Sequence, residues 1–256
     1  MSQKDVYLAD MTWPEIKDVL TDELLLVIPT ATTEQHGPHM PLNTDCLRTI
    51  KSLEKAAEKV GGVLITPVIP FGLSQEHMVK PGTLNLRVDT LTALIRDIVT
   101  SLVTHGVKRF LIWNSHFGNM ASLGQILPAL RAELNGKVII DGIFPERLPS
   151  VASLLEQIME TPRSGDRHAA EMETSALLAL YPETVRKEKI TYEPPQPLGE
   201  RGLPDLSNTS GVVGDSTKGS ASKGEQAAAE IEKAAIDLFH RLKTCPIAQD
   251  FKPTFF

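Results

Sequence analysis

Histidine and carboxylate side chains that could carry chemistry are concentrated in four short segments of the chain. These segments hold five of the seven histidines, namely His36, His39, His77, His116 and His168. They also contain the carboxylates Glu34, Asp45, Glu171 and Glu173. Imidazole and carboxylate ligands without thiolates favour zinc, manganese or iron over a structural cysteine site. The residue types therefore predict a metal centre.

The spacing within the first segment indicates how a metal could be held. Glu34 and His36 are two residues apart, so both side chains leave the same face of an extended segment. Such a pair can reach one ion or two adjacent ions. Asp45 lies at the predicted start of a helix, where its carboxylate could cap the helix or bridge two ions. Together with Glu34, His36 and His116, we favour the bridging role for Asp45.

Two other histidines allow more than one interpretation. His39 follows Gly-Pro and could hold the turn by a hydrogen bond or serve as a ligand. His77 follows Ser-Gln-Glu and could line a pocket or belong to an ordinary loop. We assign no chemistry to His105, beside a predicted helix C-terminus, or to His240.

Short apolar runs alternate with helical patterns along the chain. Strands are predicted at about 23–29, 63–66, 110–113 and 137–140, and helices at about 45–60, 89–105, 121–134 and 225–242. This alternation predicts an α/β fold with a mostly parallel sheet covered on both faces. Ligands bind beyond the carboxyl ends of such strands, where the polar segments fall. We expect a single domain over residues 1–256 with a long loop at about 194–224.

The composition excludes several classes of partner. The net charge is −6, with 26 basic and 32 acidic side chains and no basic block, which argues against nucleic acid. The longest strongly apolar run, 24–28, is far shorter than a membrane span. The first residues lack a secretory pattern. We therefore expect a cytoplasmic protein with Cys46 and Cys245 as reduced thiols.

Four motifs carry a resemblance to a known family. They read TEQHGPHMPLNTD, FGLSQEH with PGTL, NSHFGN and RHAAEMETS. In this order they resemble the motifs of the creatininase (creatinine amidohydrolase) family, over about residues 5–240. Ser115 and Ala170 each replace a glycine of the family pattern, and neither change removes a ligand.

The resemblance implies a three-layer αβα sandwich and two divalent ions (Zn, Mn or Fe) per subunit of a homo-oligomer, a hexamer in the family. By motif matching, the metal ligands are Glu34, His36, Asp45 and His116, with Asp45 bridging. Creatininase has a further ligand glutamate where this chain has Gly118. We expect Glu171 to fill that gap, with Glu173 as the alternative ligand or as a supporting partner.

These implications lead to a hypothesis of metal-dependent hydrolysis of a non-peptide C–N bond in a small amide or cyclic amide. A hydroxide bridging two ions would attack the carbonyl carbon, and His168, with Glu171, would serve the proton transfers. Ser74, His77 and Phe117 are the expected substrate contacts. A deformylase, a metallopeptidase and a non-catalytic metal-binding scaffold are the alternatives. A serine nucleophile is disfavoured because no Gly-x-Ser-x-Gly elbow occurs.

The substrate is expected to differ from creatinine. Creatininase closes over that flat ring with tryptophans, whereas this chain has only Trp13, near its start, and Trp113, in a predicted strand. The corresponding stretches offer Phe144, Arg147, Arg163 and Arg167 instead. Because guanidinium groups bind carboxylate or phosphate with paired hydrogen bonds, we expect an anionic group beside the scissile amide.

Overall fold

Four parallel strands form the central sheet of the molecule. The computed structural model describes residues 6–194, 205–207, 209–247 and 253. The strands are Leu25–Thr30 (β1), Val63–Ile65 (β2), Arg109–Asn114 (β3) and Ile139–Ile143 (β4). Their order across the sheet is β2–β1–β3–β4, and each neighbouring pair is parallel. The carboxyl ends of β1 and β3 therefore lie side by side in the middle of the sheet.

Helices connect and cover these strands. They are Trp13–Val19 (α1), Thr44–Val60 (α2), Val88–Thr104 (α3), Met120–Glu133 (α4), Pro149–Ile158 (α5), Glu171–Leu180 (α6) and Ala221–Thr244 (α7). A small antiparallel ribbon pairs Tyr192–Glu193 (β5) with Gly214–Asp215 (β6). None of the helices in the described part of the chain is both long and apolar enough to cross a membrane.

The sheet is buried on both faces because its strands are apolar at almost every position. In β1, Leu25 and Val27 pack with α2, α5 and α7 on one face, through partners such as Leu53 and Phe239. Leu26 and Ile28 face the opposite side and pack with α3 and α4. The two layers of helices and the sheet between them confirm the predicted α/β sandwich.

The predicted elements differ from the observed ones mainly at their ends and in the third quarter of the chain. The fourth strand begins at Ile139, two residues later than predicted, and α1, α5 and α6 were not predicted. The long loop expected at about 194–224 falls partly on residues 195–204 and 208, which lie outside the described residues. Its later part contains β6 and a short 3-10 turn before α7.

Helices α6 and α7 meet closely at a glycine. A Cβ atom added at Gly224 would lie 2.0 Å from the carbonyl oxygen of Ser175 and 2.7 Å from Cβ of Ala179. Helix α6 carries Glu171 and Glu173 in its first turn. The absence of a side chain at Gly224 therefore sets the distance at which α6 packs.

Replacement of Gly224 by alanine should destabilise the protein. In an exposed helix the same change stabilises, by about 1 kcal/mol, because alanine has the higher helix propensity. Here the added methyl group has to displace α6, at a cost of about 1–3 kcal/mol as for other overpacked positions. Thermal unfolding of Gly224→Ala should show a lower Tm than that of the wild type. Gln226→Ala, on the exposed side of α7, is the control, and a raised Tm for Gly224→Ala would contradict the close packing.

Candidate metal centre

The site is built on the adjoining ends of β1 and β3. Thr30 Oγ1 donates a hydrogen bond to Asn114 Oδ1 at 3.1 Å, and the Ser115 amide donates to the Thr30 carbonyl at 2.9 Å. The Asn114 side chain in turn donates to the carbonyl of His116 at 2.6 Å. These bonds fix the segments that leave the two strands, so that the segment with Glu34 and His36 lies against His116.

A tight turn after β1 depends on glycine. Gly37 has a φ of 64°, and a Cβ atom there would lie 2.7 Å from Cγ2 of Val212. The Gln35 side chain accepts a hydrogen bond from the Gly37 amide and donates to the carbonyl of Gly211 and to Nδ1 of His77. This turn holds Glu34 and His36 at the edge of the sheet.

Glu34, Asp45 and His116 form a first group of candidate ligands. His116 Nδ1 lies 3.3 Å from Glu34 Oε1 and 3.3 Å from Asp45 Oδ2. One donor atom from each residue lies within 4.8 Å of the others. All three side chains are buried. This is a compact set of one imidazole and two carboxylates.

A second group shares Asp45 with the first. His36 Nε2 lies 3.4 Å from Asp45 Oδ1 and 3.7 Å from Glu173 Oε2. The other oxygen of Asp45, Oδ2, faces His116. The two oxygens of one carboxylate are thus turned toward two separate groups of ligands.

The histidines of the site are oriented by backbone carbonyls. The outer ring nitrogens of His36, His116 and His168 donate to the carbonyls of Glu34 (3.1 Å), Leu73 (2.9 Å) and Gln35 (2.7 Å), respectively. In a neutral ring the inner nitrogen is then left with a lone pair directed at the carboxylates. Metal-binding histidines are commonly held in this way.

Several polar atoms at the centre have no hydrogen-bond partner among the described residues. They are Glu34 Oε2, His36 Nε2 and Asp45 Oδ2, all buried. An unpaired buried polar atom costs about 1–3 kcal/mol, and a bound cation would offset that cost. The residues present therefore fit divalent ions at both groups.

The positions of the histidines also shift their pKa values. Burial alone would lower the pKa of His36, but the adjacent Asp45 carboxylate, 3.4 Å away, raises it to about 9. Burial disfavours protonation of His116, but the carboxylates of Glu34 and Asp45 favour it. The pKa of His116 therefore lies well above its usual value. Burial is the main cause that lowers the pKa of His168, so this imidazole stays neutral and able to accept a proton at Nδ1.

Glu171 does not join this cluster, contrary to the expectation from sequence. Its carboxylate accepts hydrogen bonds from the amides of Glu160 (2.9 Å) and Thr161 (2.7 Å) and from Lys223 Nζ (2.6 Å). These bonds point it away from Asp45 and join the end of α5 to α6 and α7. Glu173, two residues later, faces His36 instead, so the expected ligand and proton-transfer role of Glu171 is corrected.

The surrounding atoms leave no space for a side chain at Gly118. A Cβ atom at this position would lie 2.2 Å from the carbonyl oxygen of Leu73 and 2.4 Å from His116 Nε2. Both atoms belong to the hydrogen bond that orients His116. No side chain fits at residue 118 without moving that histidine, and Glu173 approaches the centre from α6.

Sequence analysis missed the buried Arg48 and its partner Glu146. Arg48 Nη2 lies 3.5 Å from Asp45 Oδ1 and 3.4 Å from Glu173 Oε1, and its Nη1 lies 3.1 Å from Glu146 Oε1. Burial disfavours the charge of Arg48, but the surrounding carboxylates raise its pKa. Its position three residues after Asp45, on the same face of α2, was the available signal.

The expected substrate contacts differ in their access to solvent. Ser74 is fully buried, and its hydroxyl is 2.7 Å from that of Thr32, so it supports the loop beneath His116 and is not exposed to a substrate. His77 accepts a hydrogen bond from Gln35 at Nδ1 and directs Nε2 toward Glu34 Oε2, 3.8 Å away. Phe117, which directly follows His116, is 61% exposed. We call the surface around Phe117 the mouth of the site. His39 is bonded to Thr174 and takes no part in the candidate ligand groups.

Comparison with known proteins identifies the family of this chain. Residues 9–239 match the family model described as creatininase, creatinine amidohydrolase. A creatinine amidohydrolase of Pseudomonas putida is 28% identical over 75% of this chain and 78% of its own length. A mycofactocin precursor peptide peptidase of Mycobacterium tuberculosis is 32% identical over 78% of each chain.

Solved structures give the same result at the level of the fold. A manganese form of creatininase and a creatininase variant of Zn–Zn type each superpose with a TM-score of 0.83 at 25% identity. In each case the match covers 95% of this chain and all of the other.

The raised histidine pKa values predict how the metal-free protein responds to pH. A group with a folded-state pKa above its unfolded value stabilises the fold below the unfolded value, about 6.5 for histidine, and ceases to do so as the pH rises through the folded value. For His36 that window is from about pH 6.5 to about 9. We expect the Tm of chelator-treated protein to fall across this window.

The metal-loaded protein serves as the comparison. Bound ions take the place of the protons, so its Tm should not show the same fall. His240→Gln, at an exposed position of α7, should preserve the metal-free profile. A metal-free Tm that is constant or rises between pH 6.5 and 9 would show that His36 and His116 are not held as protonated partners of the carboxylates.

Proposed function

Because the chain belongs to the creatininase family, we propose that it is a metal-dependent amidohydrolase with two divalent ions, acting on a small amide. The observation that carries the proposal is the pair of ligand groups that share Asp45. Glu34 and His116 complete one group, and His36 and Glu173 complete the other. The manganese and zinc forms of the similar creatininase structures support these metals.

Divalent ions held by these two groups would polarise the substrate carbonyl and lower the pKa of a bound water molecule. The protein residues supply the remaining requirements of hydrolysis. His168 Nδ1 faces the centre, 3.7 Å from Glu34 Oε1, while its Nε2 donates to the Gln35 carbonyl. This geometry keeps one nitrogen of His168 free to take a proton and deliver it to the leaving nitrogen.

His77 is the opposite case to His168, because its proton is on the ring nitrogen that faces the centre. Because its Nδ1 accepts from the Gln35 amide, its neutral ring carries the proton on Nε2, which faces the centre. Burial is the main cause that lowers the pKa of His77, to about 2, so it remains neutral. The two rings lie in contact, with centroids 4.1 Å apart. We assign His77 as a hydrogen-bond donor to the substrate and His168 as the proton carrier.

The relationship to a peptide peptidase makes peptide bonds the alternative substrate class. The same cluster could hydrolyse either bond, since both are amides. The experiment that tests the proposed function is a hydrolysis screen of metal-replete protein against small linear amides, cyclic amides and short peptides. Absence of turnover on all three classes by protein with two bound ions would contradict it and favour a metal-binding scaffold.

Metal content should distinguish the assigned ligands. Asp45→Asn removes the shared carboxylate charge, so we expect elemental analysis to show loss of both ions. Glu173→Gln should lose mainly one ion, since the group of Glu34, Asp45 and His116 is left intact. Glu171→Gln is the matched control on the same helix, with a lowered Tm but unchanged metal content. Loss of metal in Glu171→Gln with full retention in Glu173→Gln would reverse the assignment.

Replacement of His168 should separate catalysis from metal binding. His168 also forms a third set of close donor atoms with Glu34 and His36, so metal content is measured before activity. We expect His168→Gln to retain both ions, because the two groups that share Asp45 stay intact. We expect kcat to fall by about 10²–10⁴-fold, as is typical for loss of a general acid–base group. His105→Gln, at the end of α3, is the control histidine. Turnover of His168→Gln near that of the wild type would exclude the proton-transfer role.

A further inference from the structure

The short turn after β4 connects the buried centre to the mouth of the site. Residues Pro145–Arg147 form a single 3-10 turn. Glu146 points inward, is 5% exposed and accepts from Arg48 Nη1 at 3.1 Å. Arg147, the next residue, is exposed. The turn thus presents one side chain to the buried Arg48 and the next to solvent.

Arg147 is held by an aromatic side chain at the mouth. Its guanidinium carbon lies 5.3 Å from the centroid of the Phe117 ring, and Phe117 directly follows the candidate ligand His116. Phe144 packs edge-on against Phe117, with centroids 6.1 Å apart at 81°. Stacking of this kind uses the π face of a guanidinium. The N–H groups on its edge remain available to a ligand.

A second arginine lies at the same turn. Arg163 Nη2 is 3.5 Å from the carbonyl oxygen of Glu146, and its side chain is exposed. Arg87 and Arg96, elsewhere on the surface, each bind a carboxylate at 3.1 Å. Within the described ranges, neither Arg147 nor Arg163 has a carboxylate within 4.0 Å. Two exposed guanidinium groups without a carboxylate partner among the described residues therefore adjoin this one turn.

We propose that Arg147 and Arg163, with Phe117 as the support of Arg147, form a subsite for a carboxylate carried by the substrate next to the scissile amide. The subsite rests on the proposed function for its role in catalysis. A guanidinium edge binds a planar oxyanion through paired hydrogen bonds. The proposal commits to a carboxylate, whose two coplanar oxygens match the paired N–H groups of a guanidinium edge.

A pair of ligands with the same amide tests the subsite directly. N-acetylglycine and N-methylacetamide differ by one carboxylate. We expect metal-loaded wild-type protein to bind N-acetylglycine at least about 10-fold more tightly, in line with charge-assisted hydrogen bonds. Ligand-observed NMR titration at fixed ionic strength measures both affinities. The preference should decrease as salt is raised, because the arginines are exposed.

Variants assign the preference to the two arginines. Arg147→Gln and Arg163→Gln should each reduce it, and the double variant should abolish it. Arg147→Lys should retain only part of the preference for N-acetylglycine, since lysine keeps the charge but cannot form the paired hydrogen bonds. Phe117→Leu should also weaken it, because the guanidinium loses its support. Arg96→Gln, a distant exposed arginine on α3, is the matched control and should retain the full preference.

Three outcomes would overturn the subsite. The first is equal affinity of the wild type for the two ligands, and the second is a preference that persists in the double variant, as direct binding of the carboxylate to metal would produce. The third is a preference of more than about 10-fold for N-acetylaminomethylphosphonate over N-acetylglycine. Parallel hydrolysis assays separate the two proposals. An arginine-dependent preference without turnover of any amide would contradict the proposed function and leave the subsite standing.

Discussion

The concentration of carboxylates at the carboxyl edge of the sheet is the constraint on which the site depends. Glu34, Asp45 and Glu146 are each no more than 5% exposed, and Glu173 reaches the same cluster. Buried charges are tolerated only when they are paired. Arg48 contacts three of these four carboxylates. One guanidinium cannot balance their combined negative charge, so the remainder must be balanced by histidine protons or by metal ions. The centre is thus built to hold cations.

Helix termini contribute to the same balance. Asp45 lies in the first turn of α2 and Glu173 in the first turn of α6. The N-terminus of a helix carries a partial positive charge that stabilises a nearby carboxylate. Two helices from different parts of the chain therefore direct their positive ends toward one point. The ends of β1 and β3 meet at this point, which explains why a parallel sheet suits such a site.

Much of this arrangement could be predicted from the sequence because it depends on local patterns. The apolar runs of β1 and β3 and the helical spacing after Asp45 predict the sheet and the rim where Glu34, His36 and His116 meet. The choice between Glu171 and Glu173 could not be made in this way. Two residues along a helix differ by about 200° in direction, so only the packing of α6 on α7 decides which one faces the centre. Sequence analysis also missed Arg48, because a buried arginine is recognised by the partners that surround it.

The steric restriction at Gly118 has an evolutionary consequence. At residue 118 even a methyl group would disturb the loop around Leu73. The carboxylate that faces His36 comes instead from Glu173, on α6. A side chain at residue 118 would require a compensating change in the loop around Leu73. Residue 118 and the loop around Leu73 are therefore expected to vary together among related chains.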